Sequence, residues 1–86
     1  MKIGNRIIQN RNIEVNTPDH FEAKYKGLHI YVSSDHGHGK AAHAHLTRYW
    51  MEVWNCENGI CDCQTWEDCR DINEAIYKAM EGACLL

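Results

Sequence analysis

The sequence predicts an α+β fold, a small antiparallel β-sheet built as a meander of hairpins with one C-terminal amphipathic α-helix packed on one face. Three observations carry this. Apolar and polar residues alternate on both sides of Lys26-Gly27, an aromatic and β-branched run ends at Asn58-Gly59, and an apolar stripe at helical spacing closes the chain. With 86 residues, only one core can be built, so residues 1–86 are read as a single domain. That length excludes a doubly wound nucleotide-binding sheet or a barrel enzyme. A content of 44% hydrophobic and 24% charged residues excludes disorder.

The elements follow in chain order. Ile3, Ile7, Ile8, Ile13 and Val15 flank the polar stretch Gln9-Asn10-Arg11-Asn12, which reads as two short strands around a turn. Asn16-Thr17-Pro18-Asp19 is a break. Phe21, Ala23 and Tyr25, then Leu28, Ile30 and Val32, alternate with polar residues and form a hairpin about Lys26-Gly27. A helix capped at Thr17 and running to Tyr25 is the competing assignment, because Phe21, Tyr25 and Leu28 are also helically spaced. Residues 33–42 form a loop, and the chain is extended from His43 through Trp54.

Asn58-Gly59 predicts a two-residue type I′ turn, placing Glu57 opposite Ile60, Cys56 opposite Cys61, Asn55 opposite Asp62 and Trp54 opposite Cys63. The final helix is predicted to start near Trp66, with Thr65 as N-cap and Asp68 at N3. Its apolar stripe is Cys69, Ile72, Ile76, Ala79, Met80 and Ala83, and Gly82 is expected to end it.

Charge and ligand residues are segregated. The net charge is −3, yet residues 1–49 carry seven bases and four acids, whereas residues 50–86 carry eight acids against Arg70 and Lys78. Asp71, Glu74 and Glu81 on the wet face of the helix are therefore candidate contacts for a basic partner, and otherwise a solvated face. Trp50 and Trp54 are candidate aromatic anchors, because three tryptophans within seventeen residues exceed what so small a core readily hides. No dense Lys/Arg stripe exists to neutralise phosphates, so direct nucleic-acid binding is not expected.

All six histidines lie in the first part and all five cysteines in the second. His43 and His45, two apart on a strand, would face the same side and could chelate one ion, with His36 or His38 as a third imidazole. Zinc is the cofactor this set would take, and a histidine-rich loop ahead of an exposed strand is the plainer alternative. Cys56, Cys61, Cys63 and Cys69 lack paired Cys-x2-Cys spacing. They read first as small buried hydrophobes, then as a structural zinc set, then as a redox pair across the hairpin.

At Asp35-His36 and His43-Ala44-His45 the chain resembles a family of small bacterial proteins of unknown function with a D-H-x-P-P-H-x-H motif. The resemblance covers residues 28–47. Here the intervening Gly37–Ala42 stretch is three residues too long and lacks both prolines. It implies a small α+β fold, with His43 and His45 in the place of the family's H-x-H, and no particular activity.

These readings lead to a small non-enzymatic protein that occupies a partner's surface. Compact single-domain proteins of this kind are typical of phages and mobile elements, where they inhibit host defence nucleases in the manner of anti-CRISPR proteins. The alternatives are a histidine-based metal-binding module or small metal-dependent hydrolase, and a structural zinc fold held by cysteines. The expected partner is a protein with a basic surface, a homodimer being the other form of assembly. With no apolar run near the start and none long enough to span a bilayer, the expected location is cytoplasmic.

Overall fold

Alternation with a period of two writes one apolar face into each long strand, and the computed structural model shows those faces joined into one layer. It describes residues 1–34 and 45–86. In order these form β1 (Lys2–Ile3), β2 (Arg6–Ile7), a 3₁₀ turn (Asn10–Asn12), β3 (Ile13–Asn16), β4 (His20–Tyr25), β5 (Leu28–Ser33), β6 (Thr47–Asn55), β7 (Cys61–Cys69) and α1 (Ile72–Gly82). Strands β3 to β7 make a five-stranded antiparallel sheet in sequence order, and β1 pairs with β2 apart from it. The meander and its single covering helix are thus the predicted α+β architecture. No described helix is long and apolar enough to cross a membrane.

The core lies between one sheet face and α1. Phe21, Ala23, Ile30, Val32, Met51 and Val53 reach it from the sheet, and Ala75, Ile76, Ala79 and Met80 from the helix, all fully buried. Ile3 and Ile8 close it from the N-terminal hairpin. Burial at every second strand residue and at helical spacing on α1 is the pattern that a sheet–helix layer requires.

Three local expectations are corrected. First, the polar stretch 9–12 is not a hairpin turn. The first hairpin turns at Gly4-Asn5, with Ile3 opposite Arg6, and Asn10–Asn12 link it to the main sheet. The competing helix over 17–25 is not formed. Thr17 Oγ1 instead accepts the N–H groups of Asp19 (3.3 Å) and His20 (3.0 Å), which turns the chain into β4.

Second, the two-residue turn with both central residues left-handed sits at Lys26-Gly27 (φ 50° and 77°), between Tyr25 and Leu28. At Asn58-Gly59 the loop is wider. Asn55 Oδ1 accepts the N–H groups of Glu57 (2.9 Å) and Asn58 (3.3 Å), and Asn55 N–H donates to Ile60 O at 2.8 Å. That side-chain bonding competes with the tight turn and shifts the register. Trp54 therefore pairs with Cys61 and Val53 with Cys63, across a bulge, and Cys56 does not face Cys61. Gly59 still has φ 69°. Gly59→Val should therefore cost roughly 1–3 kcal/mol, read as a lower urea midpoint at an unchanged m-value.

Third, the helix does not start near Trp66. The segment from Thr65 to Cys69 stays in β7, where it pairs with Thr47 to Met51 of β6. Its acids serve that strand rather than a helix start: Asp68 pairs with Arg48 (2.9 Å), and Glu67 lies 3.8 Å from Lys78. The N-cap is Asp71, whose carboxylate accepts Glu74 N–H at 2.9 Å.

Gly82 is the last residue of the helix, as expected, and a Cβ there would lie 2.9 Å from Cys63 Sγ. Cys84 (φ 59°) takes the left-handed position beyond the C-cap. Its N–H donates to Glu81 O, and Leu85 N–H donates to Met80 O.

Candidate functional site

The face that α1 leaves uncovered is polar and aromatic. Register places Glu52 at its centre, with Tyr31 of β5 opposite on one side and Gln64 of β7 on the other. Along β6 it is flanked by Trp50 and Trp54, and Trp50 sits opposite Trp66. The Trp50 and Trp66 rings pack with centroids 4.9 Å apart. Trp54 is 37% exposed, among the large apolar side chains left open to solvent.

The carboxylate of Glu52 organises this row. Trp50 Nε1–H donates to Glu52 Oε2 and Trp54 Nε1–H to Glu52 Oε1, both at 2.8 Å. Residues i−2, i and i+2 of a strand share a face, so the sequence W-x-E-x-W suffices to build this arrangement. It fixes two bulky indoles in one orientation before any partner arrives.

Beside it, on β3, β4 and β5, lies a second polar group. Glu22 meets His20 Nε2 at 2.7 Å and His29 Nε2 at 3.3 Å. The His20 ring packs edge-on against Tyr31 at 5.0 Å. Glu14, Glu22 and His29 offer ligand atoms within 4.8 Å of one another, the one cluster among the described residues with metal-ligating spacing. Lys24 approaches Glu14 at 4.0 Å. The mixed carboxylate–imidazole set would suit zinc or another first-row divalent ion.

Of the histidines proposed from sequence, His36, His38 and His43 lie outside the described residues. His45 is exposed just ahead of β6. The three helix acids fall elsewhere. Asp71 is spent as N-cap, and Glu74 is bonded to Arg70 Nε at 2.6 Å. That guanidinium holds the Glu74 carboxyl below its usual range. With Glu81 they line a cleft of ≈ 550 Å³ against β1, which Lys2, Arg70 and Lys78 also line. This cleft is mixed in charge, and it is on the opposite side of the molecule from the tryptophans. Sequence reasoning missed Glu52, His20, Glu22 and His29, although the strand alternation and the short H-x-E spacing contained the signal.

All five cysteines are free thiols, and they contribute to no metal-ligating cluster among the described residues. Cys56 and Cys84 are exposed and Cys69 is buried. Burial pushes the Cys69 thiol up to about 11, and burial with the neighbouring Cys61 and Glu67 raises Cys63. The native state therefore holds the Cys69 proton more tightly than the unfolded chain. Its contribution is complete below the ordinary thiol range and is lost as pH rises toward 11. In urea unfolding this thiol should contribute roughly 2 kcal/mol less stability at pH 10.5 than at pH 8, a share that Cys69→Ala should remove while the losses from the raised Cys63 thiol and Tyr49 hydroxyl remain. At pH 8, alkylation should label Cys56 and Cys84 first.

Comparison with known proteins finds no matching family model, no similar curated protein and no matching solved structure, so the functional reading stands on the residues of this chain.

Proposed function

We propose that this chain is a non-enzymatic binding protein that occupies a basic surface of a partner protein with its uncovered sheet face. The observation that carries the reading is the Trp50–Glu52–Trp54 row, an aromatic pair oriented on the sheet face by a carboxylate. Tryptophan is the residue most enriched where binding energy concentrates. Charge supports a basic partner. Glu14, Glu22, Glu52 and Asp68 outnumber Lys24 and Arg48 on and beside this face, and the whole chain is at −3. Enzymes that handle nucleic acid carry such basic surfaces, and inhibition of a defence nuclease in the anti-CRISPR manner is the form of this function we favour.

The test retains proteins on the immobilised chain side by side with a Trp50→Ala/Trp54→Ala variant, then assays the retained protein for nucleic-acid cleavage. The expected outcome is a basic protein held by the first and lost from the second, with cleavage suppressed at about one equivalent. Retention indifferent to both substitutions would place the interface elsewhere and sink the reading.

A metal-binding role has one observation in its favour, the Glu14, Glu22 and His29 cluster with His20 beside it. On that role, calorimetric titration should give one zinc per chain, with affinity falling at least about tenfold in Glu22→Gln. Titration heats that stay flat in the unaltered protein remove it.

A further inference from the structure

Among the carboxylates on and beside the uncovered face, Glu52 is chemically distinct. Glu22 has His20 and His29, Asp68 has Arg48, and Glu14 has Lys24 within 4.0 Å. Glu52 has two neutral donors, the indole N–H groups of Trp50 and Trp54 at 2.8 Å, and no cation among the described residues. A carboxylate offers about four lone-pair sites, so two indole bonds leave each oxygen able to accept once more. The negative charge is thus fixed in position, partly withdrawn from water and not neutralised by any cation among the described residues.

Its surroundings select the kind of cation. Indole faces attract cations through the ring quadrupole, and tryptophan does so best. A planar guanidinium can donate to both oxygens of a carboxylate and stack on an aromatic plane at once, which an ammonium cannot do. Both features are present here on three consecutive outward positions of one strand, with Trp66 packed against Trp50 at 4.9 Å to extend the aromatic floor.

We infer that Glu52, held between Trp50 and Trp54, is the seat for an arginine side chain projecting from the partner protein. This deepens the binding role proposed above and rests on it. Arginine is also enriched at interface hot spots, so a single projecting guanidinium seated here would account for both the register and the charge preference of docking.

The probe is the peptide acetyl-Gly-Arg-Gly-Arg-Gly-amide, compared with otherwise identical citrulline and lysine peptides. Binding is followed by the indole N–H resonances of Trp50 and Trp54 in ¹H–¹⁵N spectra. The arginine peptide should shift both resonances saturably. The citrulline peptide, equal in shape but uncharged, should bind at least about tenfold more weakly, and the lysine peptide about threefold or more. Glu52→Gln should weaken arginine-peptide binding at least about tenfold. Equal binding of arginine and citrulline peptides overturns the inference, as does the absence of a saturable shift up to about 10 mM peptide. The peptide comparison is made on the unaltered protein, so it decides even where Glu52→Gln fails to fold. Flat peptide titrations alongside partner retention that still depends on Trp54 remove the arginine seat alone. Partner retention that ignores the tryptophans removes the binding face itself.

Discussion

A Phe21→Ala chain should lose roughly 3–5 kcal/mol of folding stability, out of about 4–13 kcal/mol for a domain of this size. Phe21 is the only phenylalanine and is fully buried in the layer between sheet and helix. It lies on β4, paired with Val32 of β5 on one side and Asn16 of β3 on the other. Truncating it removes the largest fully buried side chain from a core closed by Ile76 and Met80, so a cavity opens that α1 cannot collapse into without leaving the other strands. Urea or thermal unfolding measures the loss. The contrast with Trp54→Ala is the informative part. Trp54 is larger but sits on the opposite face at 37% exposure, so its truncation should cost at most about 1 kcal/mol. A Phe21→Ala loss below about 1 kcal/mol would mean that the helix-covered face is not the core.

That two-faced character was legible in the sequence, because alternation fixes which residues share a face whatever the register. Phe21 and Ala23, Ile30 and Val32, and the helix stripe through Ile72, Ile76 and Met80 all fell where their spacing placed them. Register and element ends were less legible, and each miss has a local cause. Asn58-Gly59 carries the stronger hairpin signature, but Asn55 bonds two backbone N–H groups of the loop and widens it. Lys26-Gly27 makes the tight turn, since six matched pairs from His20–Ser33 to Tyr25–Leu28 leave it no other length. The helix start was misplaced because Glu67 and Asp68 look like first-turn acids. Pairing with β6 outweighed that local preference, and Asp71 supplied the cap instead. The candidate site was half legible. Trp50 and Trp54 stood out by composition, whereas Glu52 was hidden as one acid among twelve until register put it between them.

Trp50→Ala combined with Trp54→Ala should accelerate dissociation from the partner on the order of 100-fold while changing association by no more than about threefold. Anchors that are buried on docking hold the complex together, whereas rim charges mainly steer the encounter. Both indoles are already oriented by Glu52, so little ordering entropy is spent when they are covered. The helix acids supply the opposing expectation. If α1 forms the interface, Glu74→Lys with Glu81→Lys should slow association and flatten its salt dependence. The structure argues against that outcome, because Glu74 is bonded to Arg70 at 2.6 Å, and the cleft that Glu74 and Glu81 line also contains Lys2 and Lys78. Asp71 is left out of the comparison, since replacing an N-cap costs about 1 kcal/mol of stability in its own right. Surface-binding kinetics across a salt series separates the two faces: faster dissociation from the tryptophan variant alone assigns the sheet, and slower association from the helix variant alone assigns α1.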